Sequence, residues 1–206
     1  MKRARCAVLI SGRGSNMMAL VEAAAGAGFP ATIDLVVANF SDAPGLVFAA
    51  ERGVVTATVP NRRDRAEHER AVADILDAHE IEIVCLAGWM RLLTPFLVQR
   101  YANRMLNIHP SLLPAFPGLH THERALAAGC RLHGCTVHLV TEAMDAGPIL
   151  GQAAVPVLPG DTAGALSARV LAAEHRLYPA TLAGFVGGGA TVPDGSGILA
   201  NPLPLP

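Results

Sequence analysis

Short, almost wholly apolar runs alternate along this chain with amphipathic stretches, and few architectures accommodate that order. Residues 7–10, 33–38, 54–59, 83–87, 105–108, 136–140 and 149–157 read as strands. The earlier runs lack the polar alternation of a half-exposed strand, so they are predicted to be covered on both faces. Helical patterns separate them. Asp64, followed three residues on by Glu67, resembles a capping box, and Val72, Ile75 and Leu76 continue on one face. Gly160-Asp161-Thr162 opens a last helix whose Leu166, Val170, Ala173 and Leu177 form a stripe. Strand–helix alternation with short connections predicts the α/β class. The expected form is a single Rossmann-like domain with a mainly parallel central sheet, right-handed crossovers and helices on both faces. The later strands lie closer together, which predicts an antiparallel edge. The domain is expected to span residues 1–186, with the Gly- and Pro-rich segment 187–206 as a loosely attached surface tail.

Composition narrows the function classes. Hydrophobic residues make up 51% of the 206 and charged residues 16%, which excludes a disordered chain. Sixteen basic residues against 17 acidic ones leave no surplus for neutralising phosphates, so no nucleic-acid partner is expected. No run approaches the roughly 18 apolar residues of a membrane span. The N-terminal apolar run is also too short for a signal peptide. Cys6, Cys85, Cys130 and Cys135 show no CxxC spacing, and Cys6 and Cys85 sit in apolar runs as small core residues. A reducing, cytoplasmic location is expected, as a monomer or a homodimer.

In open α/β sheets ligands bind beyond the carboxyl ends of the strands, which selects the loops 11–16, 88–93 and 107–118. Ser11-Gly12-Arg13-Gly14-Ser15-Asn16 leads from the first strand into a helix over 17–25. Backbone N–H groups at such a helix start form an anion site, but the same glycines also suit a plain tight turn. No Lys-Ser/Thr follows them, which favours a single phosphate over a nucleoside triphosphate. Asn107 and His109 alternate with Ile108, so both project to one side, and Pro110, Pro114 and Pro117 stiffen the exit. A carboxamide and an imidazole so placed can polarise a carbonyl and shuttle a proton, although a histidine at a strand end is often structural. Asp145 sits in a turn, where it can cap its own backbone or, if close to His109, favour the imidazolium. Spacing does not bring the two together. His120, His122, His133 and His138 complete no recognisable metal spacing, so no metal is expected. Trp89 reads as core or as part of a surface for a flat ligand, and Glu174-His175 as a solvated pair.

Taken together, S-G-R-G-S-N, L-A-G-W-M-R-L-L, L-N-I-H-P-S-L-L-P-A-F-P-G-L-H-T-H, H-G-C-T-V-H-L-V-T-E-A-M-D-A-G-P and E-H-R-L-Y-P resemble the phosphoribosylglycinamide formyltransferases, folate-dependent enzymes of purine synthesis. The likeness runs in order from about Arg5 to Pro179. It implies transfer of a formyl group from 10-formyltetrahydrofolate, a co-substrate, to the amine of glycinamide ribonucleotide. The alternative is another 10-formyltetrahydrofolate enzyme, a hydrolase or one with a different amine acceptor. By the same resemblance Asn107, His109 and Asp145 are catalytic, and Gly14, Ser15, Asn16 and Glu174 bind the ribonucleotide. Arg65, Met90, Arg91, Leu92, Leu93, Asn107, Thr141, Glu142, Ala143, Met144 and Asp145 line the folate site. Leu171 departs from relatives that carry Gln beside the nucleotide.

Overall fold

The computed structural model describes residues 2–187 and 198–200. Those up to Asn107, with Val140–Glu142, form one compact unit. Ile108–Leu139 and the described residues from Ala143 onward form a second.

The first unit is a layered α/β structure. Its strands are β1 (Ala4–Ile10), β2 (Ala31–Ala38), β3 (Val55–Thr58), β4 (Ile83–Leu86) and the start of β5 (Met105–His109). They run in the order β3-β2-β1-β4-β5, and every pairing is parallel. Val8 of β1 lies between Val36 and Cys85, so the central strand has neighbours on both edges. Residues Cys6 to Ile10 are fully buried, the burial expected of a strand whose two faces are both covered. The connections are helical: α1 (Ser15–Ala24), α2 (Pro44–Glu51), α3 (Arg65–Ala78) and α4 (Pro95–Arg100). Leu9, Leu35, Val37 and Val84 from the strands pack with Val72 and Leu76 of α3 and Leu97 of α4 in one apolar cluster.

Helix α3 shows how local sequence sets an element. Asp64 is its N-cap, and the carboxylate accepts from the backbone N–H of Ala66 at 2.8 Å and of Glu67 at 3.3 Å. The predicted capping box is only half formed, because Glu67 pairs with Arg62. An ion pair with a guanidinium competes here with a backbone N–H. Asp64→Ala is expected to cost about 1 kcal/mol, read as a lower urea midpoint with an unchanged slope. An unchanged midpoint would contradict the cap.

In the second unit the end of β5 is followed by α5 (Thr121–Ala127), β6 (Leu132–Leu139), β7 (Ile149–Pro156), α6 (Ala163–Val186) and β8 (Ile198–Ala200). β6 and β7 are antiparallel, with Thr136 opposite Gln152, as the spacing of the later strands led us to expect. β8 pairs parallel to β7. Apart from those three residues and Gly187, the expected tail lies outside the described residues. The stripe Leu166, Val170, Ala173 and Leu177 of α6 is buried, and the helix packs on β6 and β7. Gly151 permits the close approach: a Cβ there would lie 2.7 Å from Thr181 Oγ1 and 3.2 Å from Leu177 Cδ1. Among the described residues no helix is long and apolar enough to cross a membrane.

Candidate active site

Strand β5 ends at His109, and a proline loop follows. Side chains of the β6–β7 hairpin fix that loop in place. The Thr136 hydroxyl donates to the Ser111 carbonyl at 2.7 Å and accepts from Leu113 N–H at 3.0 Å. Gln152 donates to the Leu113 carbonyl at 2.8 Å, and Ser111 Oγ donates to the Ala115 carbonyl at 2.6 Å. Each buried polar group here finds a partner, so the loop is a rigid frame.

His109 sits in that frame, 6% exposed. Its Nε2 lies 3.1 Å from the Phe116 carbonyl, and its Nδ1 lies 3.5 Å from Asp145 Oδ2. Both ring nitrogens thus face oxygen acceptors. A neutral imidazole has one N–H and satisfies only one of them; the imidazolium satisfies both. Asp145 is itself held. It adopts a left-handed conformation at φ 53°, which Asp tolerates better than most residues. Its Oδ2 accepts from Gly118 N–H at 2.8 Å, and its Oδ1 lies 3.8 Å from His138 Nε2. The Nδ1–H of His138 donates to the Leu139 carbonyl at 2.9 Å. Burial pushes the His138 pKa down, against the opposing pull of that carbonyl and of Asp145.

The structure therefore brings His109 and Asp145 together, which spacing alone did not do. It also adds Gly118 N–H and the Phe116 carbonyl, which the sequence did not single out, and it places His138, one of the four clustered histidines, beside Asp145. The available signal was Thr136 and His138, polar residues that alternate with Val137 and Leu139 along β6. Asn107 lies two residues before His109 on β5, half-buried, in register with Leu86 of β4. The four clustered histidines divide: His138 meets Asp145, His133 meets His122, and His120 pairs with Glu123 at 3.9 Å. Glu174, read from sequence as half of a solvated pair, is buried on α6 at 6% exposure. The same face of α6 carries the buried stripe, so this carboxylate turns inward with it.

In the first unit Gly14 is the N-cap of α1 at φ 66°, and no side chain caps this helix. A Cβ at Gly14 would lie 3.2–3.3 Å from Met17 and Ile10, in a backbone region that disfavours side chains. The helix begins at Ser15, two residues before the predicted start, with no acidic residue in its first turn. The positive end of the helix dipole lies at this loop, a position that favours an anion. The loop is braced by Met90 N–H donating to Ser11 Oγ at 2.8 Å and by Gly45 N–H donating to the Gly12 carbonyl at 3.3 Å. Asn16 is buried just behind it.

The segment after β4 presents Met90 at 68% and Leu92 at 57% exposure, while Leu93 packs against the core. Arg91 donates to Asn61 Oδ1 at 2.7 Å and to the Arg62 carbonyl at 3.3 Å, tying this segment to the loop ahead of α3. Arg65 is exposed on the first turn of α3. Trp89 is core: its ring stacks on His68 with centroids 5.9 Å apart. Thr141 and Glu142 belong to this unit, and Glu142 accepts from Gln99 at 2.8 Å. Ala143 and Met144, both exposed, precede Asp145 in the second.

Residues 4–182 match the protein family described as Formyl transferase. The chain is 44% identical over 183 residues to the phosphoribosylglycinamide formyltransferase of Escherichia coli (strain K12), covering 88% of this chain and 86% of that protein. It is 47% identical over 183 residues to the human trifunctional purine biosynthetic protein adenosine-3, of which it spans 18%. Among solved structures, the phosphoribosylglycinamide formyltransferase from Brucella melitensis superposes with a TM-score of 0.87 at 55% identity. That match covers 91% of this chain and 97% of the other.

Proposed function

From the premise that this chain belongs to the formyl transferase family, we propose that it moves the formyl group of 10-formyltetrahydrofolate to the primary amine of glycinamide ribonucleotide. The products are formylglycinamide ribonucleotide and tetrahydrofolate. One observation carries the chemistry: His109 is buried with an oxygen acceptor at each ring nitrogen, one of them the Asp145 carboxylate.

The roles follow from what the reaction demands. The amine nitrogen attacks the formyl carbon, and the carbonyl oxygen gains negative charge in the tetrahedral intermediate. The Asn107 carboxamide N–H and the His109 imidazolium stabilise that oxygen. Asp145 keeps the imidazolium paired and, through water, passes the proton lost by the attacking nitrogen to the departing N10. The C–N10 bond then breaks. Met90 and Leu92 offer apolar surface to the flat pteridine, Arg91, Leu93, Thr141, Glu142, Ala143 and Met144 are assigned to the same co-substrate, and Arg65 offers a cation to the acidic glutamate end of the folate. Gly14, Ser15 and Asn16 hold the phosphate at the start of α1, and Glu174 binds the same substrate. The reaction takes place in the cytoplasm on small-molecule substrates, where Cys6, Cys85, Cys130 and Cys135 stay free thiols.

Tetrahydrofolate release measured with and without glycinamide ribonucleotide tests the assignment. Release that requires the ribonucleotide is expected. Equal release without any amine would instead make the protein a hydrolase. The phosphate site has its own test. Glycinamide riboside, lacking the phosphate, is expected to bind at least about tenfold more weakly, because charge-assisted hydrogen bonds contribute roughly 1.5–3 kcal/mol. Equal affinity for the two would remove the anion role of the Gly14–Asn16 loop.

A further inference from the structure

We propose that His133, buried on β6, and its partner His122 form a positioning device that holds the Pro110–Phe116 loop, and through it the His109 ring. His133 on β6 is 1% exposed. Its burial, and the nearby His122 and His109, push its pKa down to about 4, so at neutral pH the ring is uncharged. An uncharged imidazole has one donor and one acceptor. The Nε2 of His133 lies 3.2 Å from Nδ1 of His122, and its other nitrogen bonds the backbone of Pro110. Because a carbonyl can only accept, His133 donates to Pro110 and accepts from His122. One arrangement of protons satisfies the chain.

That chain reaches His109 at both ends of its loop. Pro110 follows His109 directly. At the other end, the Phe116 ring meets the His133 ring edge-on, with centroids 6.1 Å apart. The Phe116 carbonyl is the acceptor for His109 Nε2. Phe116 stands at φ 54°, an uncommon conformation for a bulky residue, so its surroundings must hold it there. The holders are the His133 edge on one contact and the Arg124 guanidinium, 5.5 Å from the ring centroid, on another. Arg124 also donates to the Pro117 carbonyl. Removing the His133 ring releases Pro110 and Phe116 together, and the acceptor of His109 shifts although no residue that touches substrate has been substituted.

This inference rests on His109 serving the proposed reaction, so the test reads both turnover and the ring itself. His133→Leu is expected to lower kcat roughly 10–100-fold, the usual range for groups that orient a working side chain. KM for each substrate should stay within about twofold. In ¹⁵N-histidine spectra the exchange-protected Nε2–H signal of His109 should be lost. His133→Asn, which keeps an N–H where Nδ1–H stood, should recover most of both. If His133→Leu does not fold, His122→Phe removes the donor to His133 from a partly exposed site on α5, and the same signature is expected at smaller amplitude. A folded variant that melts lower yet keeps wild-type kcat and the His109 signal would overturn the proposal. The spectral readout does not depend on which acceptor is formylated. A wild type without formyl transfer would therefore count against the reaction alone.

Discussion

Asp145→Asn is expected to reduce kcat by about 10³-fold while leaving KM for the ribonucleotide within about twofold. The substitution is informative because it changes charge and donor pattern with little change in shape. Asn tolerates the left-handed backbone at φ 53° as Asp does, so the turn should survive. The carboxylate faces three nitrogens at once: Gly118 N–H at 2.8 Å, His109 Nδ1 at 3.5 Å and His138 Nε2 at 3.8 Å. A carboxamide has one oxygen and one NH₂, so a donor must turn toward a ring nitrogen. The oxygen stays with Gly118 N–H, on the side that also faces His109 Nδ1, and the NH₂ turns toward His138 Nε2. His109 thus keeps an acceptor at Nδ1 but loses the anion that pairs with the imidazolium. The imidazolium needed at the developing oxyanion is then scarce, and the route for the proton toward N10 is missing. Steady-state kinetics on the purified variant, with direct binding of the ribonucleotide, decide the matter. Turnover within a few-fold of wild type would take Asp145 out of the mechanism.

The contrast between His109 and Asp145 shows what the sequence could and could not reveal. His109 was legible because a short apolar strand ended there, prolines followed, and strand ends carry ligands in this fold class. Its acceptors were not legible. Asp145 approaches because β6 and β7 form an antiparallel hairpin whose turn returns to the loop after β5, and residue spacing does not encode that return. Strands covered on both faces showed as nearly continuous apolar runs, Ala7–Ile10 in β1 and Leu35–Ala38 after Asp34 in β2. The apolar run at 136–140 marks β6 four residues after its observed start at Leu132, because His133 and Gly134 interrupt the apolar pattern. The structure explains both residues in strand terms. His133 is buried with its two nitrogens engaged, and a Cβ at Gly134 would clash with the Ala153 backbone of the adjacent strand. Glu174 was misjudged for a related reason. Charge argues for solvent on average, but its spacing from Val170 and Leu177 already placed it on the buried face of α6.

Stability is expected to fall by at least about 2 kcal/mol between pH 7.5 and pH 5. The argument starts from burial, because an imidazole surrounded by protein is penalised when it takes up a proton. His133 titrates near 4 in the folded chain against 6.5 when unfolded. Its folded value is depressed, so below 6.5 the unfolded chain binds the proton first. Stability then declines as pH falls through the window from 6.5 to 4 and levels off below it. Over pH 7.5 to 5 this one group accounts for about 2 kcal/mol. Burial also lowers His68, His122 and His138, which act in the same direction. Asp161, held down to about 2 by Arg169 and by Leu158 N–H, loses its contribution only at more acid pH. Urea unfolding at the two pH values measures the total, and His133→Asn isolates the largest share. The variant should lose about 2 kcal/mol of the pH dependence, whatever its stability at pH 7.5. Equal wild-type stability at both pH values, or a variant that keeps the whole dependence, would mean that the His133 ring accepts a proton in place without the penalty its burial imposes.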